Sequence, residues 1–117
     1  MTVKDLEQLL PLKCIQNTYE NKEITVVYTS DLLSDVLANA DDNALLVTIQ
    51  AHKNTVAVGS LKGSPAIIIC NDRPVPDDMI QAAASEKIAV FTTSLNQYTV
   101  SGRLFDALNT KQSANVK

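Results

Sequence analysis

Three features of the sequence predict an α/β domain with a mostly parallel sheet. Continuous apolar runs of strand length stand at 44–49 (ALLVTI), 65–70 (PAIIIC) and 88–92 (IAVFT). Unbroken runs of this kind mark strands covered on both faces, which a parallel sheet requires. Stretches with helical signals lie between them: 53–62 closes near Gly63, and 76–86 opens on Pro76 with Asp77 and Asp78 behind it. Strand, helix, strand, helix, strand and helix in that order build a parallel sheet through right-handed crossovers.

At 117 residues the chain is one domain, long enough to bury a core. Hydrophobic residues make up 45% and charged residues 20%, with mean hydropathy near zero, the profile of a soluble globular protein. The net charge of −3 and the scatter of the basic residues argue against nucleic acid, which selects for clustered Lys and Arg. No apolar run approaches the roughly 18 residues of a membrane span. The N-terminus MTVKDLEQLL lacks the apolar core of a signal peptide, so a cytoplasmic protein is expected. Cys14 and Cys70 form neither a metal motif nor a disulfide framework and read as buried thiols. No cofactor and no metal are expected.

Taking the elements in order, Thr2 caps a short helix over VKDLEQLL, with Asp5 as its capping-box partner. Leu6, Leu9 and Leu10 are its apolar face, and Pro11 stops it. A short strand follows at 12–15 (LKCI), then a polar connection and a β-branched strand at 23–29 (EITVVYT). This short helix and its strands are expected to form a β-rich flap on the main body. The next helix starts on Thr29 or Ser30, with Asp31 in the first turn, where a carboxylate suits the positive end of the helix dipole. Leu32, Leu33, Val36, Leu37 and Ala40 repeat at helical spacing and form its buried stripe, leaving Asp31, Ser34 and Asp35 on the other face. Over 53–62 the β-branched Thr55, Val56 and Val58 lower the helix propensity. The last helix spans 94–108 with Ser94 or Thr93 as its cap. The domain covers 1–109, and 110–117 form a disordered polar tail.

The segments YTSDLLSDVLANA, VTIQAHKNTVAV, AIIICNDRPVPDDMIQAA and KIAVFTTSLNQYTVSGRLFDAL together resemble the DRTGG domain. That family is similar to the N-terminal domain of HPr serine kinase and also occurs as small stand-alone proteins. The resemblance covers roughly residues 2–108 and implies an HPr kinase N-terminal-domain-like α/β fold with a regulatory role, pairing with itself or with neighbours and without catalysis. The five-residue stretch that names the family is absent. Its place holds Asn71, Asp72, Arg73 and Pro74, a glycine-free loop ill suited to folding its amides into an anion nest.

Ligands in open parallel sheets bind outside the carboxyl ends of the strands. Gln50, His52 and Asn54 follow the strand at 44–49, Asn71 and Asp72 the strand at 65–70, and Thr92, Thr93 and Ser94 the strand at 88–92. Ser30 and Asp31 join the same edge if the strand before them is parallel. The candidate ligand-binding set is therefore Ser30, Asp31, Gln50, His52, Asn54, Asn71, Thr92 and Thr93. Helix caps and turns use these same residue types, so capping alone is a competing explanation.

His52 is the only histidine, a group able to switch a site or an interface near neutral pH. Ser30 and Asp31 are nearby candidates for nucleophilic chemistry, but no nucleophile-elbow motif or P-loop occurs, so no catalytic residue is assigned. Asp31 and Asp35 share a helix face and read as solvated rather than as a metal pair. The last helix carries Leu95, Tyr98, Val100, Leu104, Phe105 and Leu108, more apolar surface than one buried stripe needs. That surplus and the small and branched residues of NTVAVGSL suit a homodimer. The expected function is a non-catalytic regulatory module binding a small ligand, nucleotide-like among the candidates, at the strand ends. The alternative is a homodimerising protein-interaction module with no small-molecule ligand. A small hydrolase or transferase ranks behind both.

Overall fold

The computed structural model describes the backbone of residues 1–116 and the side chains of residues 1–110. One sheet contains β1 (Lys13–Gln16), β2 (Val27–Thr29), β3 (Leu45–Thr48), β4 (Ala66–Ile69) and β5 (Ala89–Thr92), in the order β1-β5-β4-β3-β2. β2, β3, β4 and β5 run parallel, and β1 joins the far edge antiparallel to β5. The helices are α1 (Leu6–Leu9), α2 (Leu33–Asn39), α3 (Lys53–Lys62), α4 (Asp77–Glu86) and α5 (Gln97–Val116), with a 3-10 turn at Val3–Asp5 ahead of α1. The result is the α/β architecture that the alternation predicts.

Residues alternate between the two faces of each strand, and the two faces have separate cores. On one, Leu46, Ile67, Ile69 and Val90 meet Val36 and Ala40 near α2, Val56 of α3 and Met79 and Ala83 of α4. On the other, Leu45, Val47, Ile68 and Phe91 meet Val3, Leu6, Leu10 and Ile24, together with Val100 and Leu104 of α5. β3 and β4 are buried at every position, which is why their sequences run apolar without alternation. Phe91 is fully buried, and truncating it to Ala removes about 4 kcal/mol of stability.

α3 spans the predicted residues despite its β-branched content, because Thr55, Val56 and Gly59 are buried against the sheet. A Cβ on Gly59 would meet Ile67 and Leu46 at 3.6 Å, so Thr55, Val56 and Gly59 of NTVAVGSL pack within the chain while Leu61 stays exposed. Gly63 ends the helix at φ +70°, a left-handed C-terminal residue.

The N-terminal third departs most from expectation. It is no flap: β1 and β2 form the two opposite edges of the sheet. The strand expected over 23–29 shrinks to Val27–Thr29, while Glu23 makes an isolated bridge with Thr2. The predicted helix over VKDLEQLL splits into the 3-10 turn and a single turn of α helix, with the Thr2–Asp5 capping box in place.

Two caps also move. α2 begins after Leu32, not at Thr29 or Ser30, and Leu32 and Leu37 are exposed rather than part of the buried stripe. Its first-turn carboxylate is Asp35, not Asp31. α5 begins at Gln97, where the Asn96 side chain accepts the Thr99 N–H at 2.9 Å in the place expected for Ser94 or Thr93. The polar tail expected over 110–117 falls almost wholly outside the residues whose side chains are described.

Candidate functional site

Because β2, β3, β4 and β5 are parallel, their carboxyl ends share one edge, and the structure brings all eight predicted residues to it. They fall into two groups. At the exits of β2 and β3 the polar side chains bond one another and the backbone. Asp31 Oδ1 accepts from Gln97 Nε2 at 2.7 Å, from the Ile49 N–H at 3.2 Å and from Thr48 Oγ1 at 3.4 Å. One carboxylate thus ties the exits of β2 and β3 to the start of α5. Ser30 Oγ accepts the Leu32 N–H at 3.2 Å and closes the turn into α2. The Gln50 carbonyl accepts from Thr55 Oγ1 at 2.7 Å, its N–H donates to Thr48 Oγ1, and its own side chain stays exposed.

His52 is the N-cap of α3. Its Nδ1 accepts the Asn54 N–H at 3.0 Å, so the ring nitrogen that could take a proton from a nucleophile is committed to the backbone. Asn54 joins this cap through its backbone. Among the described residues no Ser or Cys side chain hydrogen-bonds the ring, and no cluster of His, Cys, Asp and Glu could hold a metal ion.

Behind this group, the Asp35 carboxyl is held below the usual carboxylate range by hydrogen bonds from the Asn39 amide, then from the Tyr28 and Ser30 hydroxyls. The same bond raises the Tyr28 phenol above its ordinary value. Burial pushes the Cys70 thiol up to about 11, with Asp31's charge adding to it. Burial also raises Cys14, with help from Glu7. Neither thiol is activated toward nucleophilic chemistry.

The exits of β4 and β5 differ. After β4 the chain passes to α4 on one face, and after β5 to α5 on the other, so the two connections part as they leave the sheet. Parting connections of this kind leave the crevice that open α/β sheets use for ligands. Asn71 and Asp72 make the turn at φ 62° and 52°, left-handed conformations that Asn and Asp tolerate better than other non-glycine residues. Their N–H groups donate to the carbonyls of Leu95 and Thr93 at 3.0 and 2.9 Å. The loop therefore turns without glycine, and these two amides are unavailable to an anion. Thr93 is buried; its hydroxyl donates to the Pro11 carbonyl at 3.1 Å and accepts the Leu95 N–H at 3.2 Å.

A cavity of about 250 Å³ lies beside this turn, lined by Lys13, Ile15, Asp72, Arg73, Pro74, Val75, Ile80 and Thr92. Of the eight predicted residues only Thr92 lines it. Sequence reasoning missed Lys13 and Arg73. The antiparallel register that sets Lys13 opposite Thr92 joins residues from the two ends of the chain, and no local signal carries that pairing. A second cavity, of about 300 Å³, lies at the opposite sheet edge between β2 and α5, lined by Thr25, Val26, Val27, Thr29, Ser101, Phe105, Leu108 and Asn109. No helix among the described residues is long and apolar enough to cross a membrane.

No family model matches the chain, and no curated protein matches it. Among solved structures, the fold is similar to the CBS and DRTGG domains of the regulatory region of a Clostridium perfringens pyrophosphatase, crystallised with its activator diadenosine tetraphosphate. The TM-score is 0.67 at 12% sequence identity, over 86% of this chain and 44% of that one. The chain thus spans less than half the length of that regulatory region, and at this identity the likeness is one of fold.

Proposed function

We propose that this chain is a non-catalytic regulatory module, cytoplasmic in location, whose ligand site is the crevice at the carboxyl ends of β4 and β5. The observation that carries the reading is the parting of the β4 and β5 connections beside a cavity in which Thr92 meets two basic side chains. Ser30, Asp31, His52 and Thr93 serve as caps and clasps, and the cavity beside the β4 and β5 exits is where Thr92 stands with two basic side chains. Commitment of His52 to the α3 cap supports a non-enzymatic role. The shared fold with a regulatory region that was crystallised with a nucleotide activator supports a regulatory one. The two free cysteines suit a reducing compartment.

Native mass spectrometry of the protein taken gently from its host tests this, alongside Val75→Trp, which fills the half-buried floor of the crevice. A small-molecule adduct present on the parent chain and lost from the variant supports the site. An adduct that persists on Val75→Trp overturns it.

A second reading, self-association, rests on α5. Tyr98 and Phe105 are 88% and 70% exposed, and Gly102 between them has nothing within 4 Å of where its Cβ would stand. Buried Val100 and Leu104 account for only one side of this helix; among the described residues the aromatic side stays largely uncovered. Sedimentation of the parent chain beside Tyr98→Ser/Phe105→Glu tests this, since a dimer on that face becomes a monomer in the variant.

A further inference from the structure

We infer that the crevice recognises a compact phosphate ester, held by Lys13, Arg73 and the Thr92 hydroxyl over an apolar floor of Ile15, Val75 and Ile80. The inference rests on the crevice being the ligand site. Lys13 comes from the antiparallel edge strand β1, Arg73 from the β4–α4 turn and Thr92 from the end of β5, so three elements send donors to one rim. Residues paired across an antiparallel ladder project to the same face, which puts Lys13 and Thr92 together on the α4 side of the sheet.

Neither Lys13 nor Arg73 makes an ion pair among the described residues, and the Thr92 hydroxyl has no hydrogen bond there. Among the lining residues two cations stand against one carboxylate, Asp72, with Asp77 and Asp78 outside the lining in the first turn of α4. An excess of cations over carboxylates lining one cleft draws anions toward it.

Donor geometry favours phosphate over carboxylate. A planar carboxylate is satisfied by a single guanidinium fork, whereas the terminal oxygens of a phosphate monoester accept from several directions at once. Size limits the rest of the ligand. At about 250 Å³ the cavity falls just below the roughly 300–1,000 Å³ of drug-sized sites, which favours a sugar phosphate or similar body over an extended dinucleotide.

The test is a heteronuclear NMR titration of the full chain with ribose 5-phosphate, inorganic phosphate and ribose at millimolar concentrations, repeated on Lys13→Gln and Arg73→Gln. Both substitutions are at exposed positions, and unchanged spectra elsewhere establish that each variant is folded. Ribose 5-phosphate is expected to move the signals of Lys13, Ile15, Arg73 and Thr92, inorganic phosphate to move a subset of them, and ribose to move none. Each variant should weaken ribose 5-phosphate about tenfold or more, the loss expected for one charge-assisted contact. Perturbation confined to other surfaces, or affinity unchanged in both variants, overturns the proposal. Ribose binding in the crevice as tightly as its phosphate overturns the phosphate assignment while leaving the crevice standing as a site. Silence of the crevice toward all three probes overturns the phosphate assignment, and if Val75→Trp also retains its cellular adduct the crevice reading falls with it.

Discussion

The β2–β3 exits and the β4–β5 exits occupy one edge of one sheet and carry similar residue types, yet their side chains are engaged differently. At β2 and β3, Asp31, Ser30 and His52 each satisfy backbone or side-chain partners nearby. At β4 and β5, the backbone closes its own turn through Asn71 and Asp72, and Lys13, Arg73 and Thr92 are left facing a cavity. Polar residues at strand ends are therefore not one class. Whether a side chain is needed to finish a helix or turn decides whether it remains for a ligand.

The sharpest way to break this contrast is to remove one clasp. Asp31→Ala deletes a carboxylate with three donors and should cost about 2 kcal/mol, given the worth of hydrogen bonds to a charged group. Urea unfolding would show it as a lower midpoint at unchanged slope. A cost no larger than that of a surface substitution would mean that the β2–β3 exits are not held together as described.

His52→Ala comes next. Loss of the Nδ1 acceptor at the α3 cap should destabilise the chain by about 1 kcal/mol, with Asp in its place restoring most of it. If Asp restores nothing while binding of a partner or ligand is lost, His52 belongs with the functional group of residues after all.

Lys13→Gln and Arg73→Gln mark the other side of the comparison, with stability changes within about 0.5 kcal/mol, as for surface residues outside such networks. A large loss of stability in either would make the crevice a structural joint.

The smallest effect concerns acid. Asp35 has a folded pKa below its unfolded value, so its contribution is present above the unfolded pKa and is lost as pH falls through the folded one. Because the Asn39 amide is the largest cause, Asn39→Ala should move the Asp35 titration upward when followed by carboxyl NMR. An unmoved titration would assign the depression to the Tyr28 and Ser30 hydroxyls instead.

Legibility in the sequence followed the same divide between local and distant causes. Strands β3, β4 and β5 and helix α3 were readable because burial on both faces and a left-handed glycine at a helix end leave local marks. The caps of α2 and α5 were displaced by two or three positions because Thr29, Ser30 and Asp31, and again Thr93, Ser94 and Asn96, offer several capping residues in a row. Only tertiary contacts select among these: Asp31 is drawn to Gln97 and Thr93 to Pro11. The surplus on the last helix was legible as composition. Its division into buried Val100 and Leu104 and exposed Tyr98 and Phe105 depended on where the sheet lay. The carboxyl edge was legible as a place, but the crevice was not, since its cations lie on an edge strand and a loop far apart in the chain.

The antiparallel pairing of β1 with β5 also has a kinetic side. β2, β3, β4 and β5 are joined by successive crossovers, so each strand can dock as soon as its neighbour is made. β1 leaves the ribosome first and finds its place last, because Lys13 and Cys14 must wait for Thr92 and Phe91. Closing so long a loop is slow relative to local contacts. Until it closes, the β5 edge is bare, Phe91 is paired only with Ile68 of β4, and a nascent chain is exposed to edge-to-edge association.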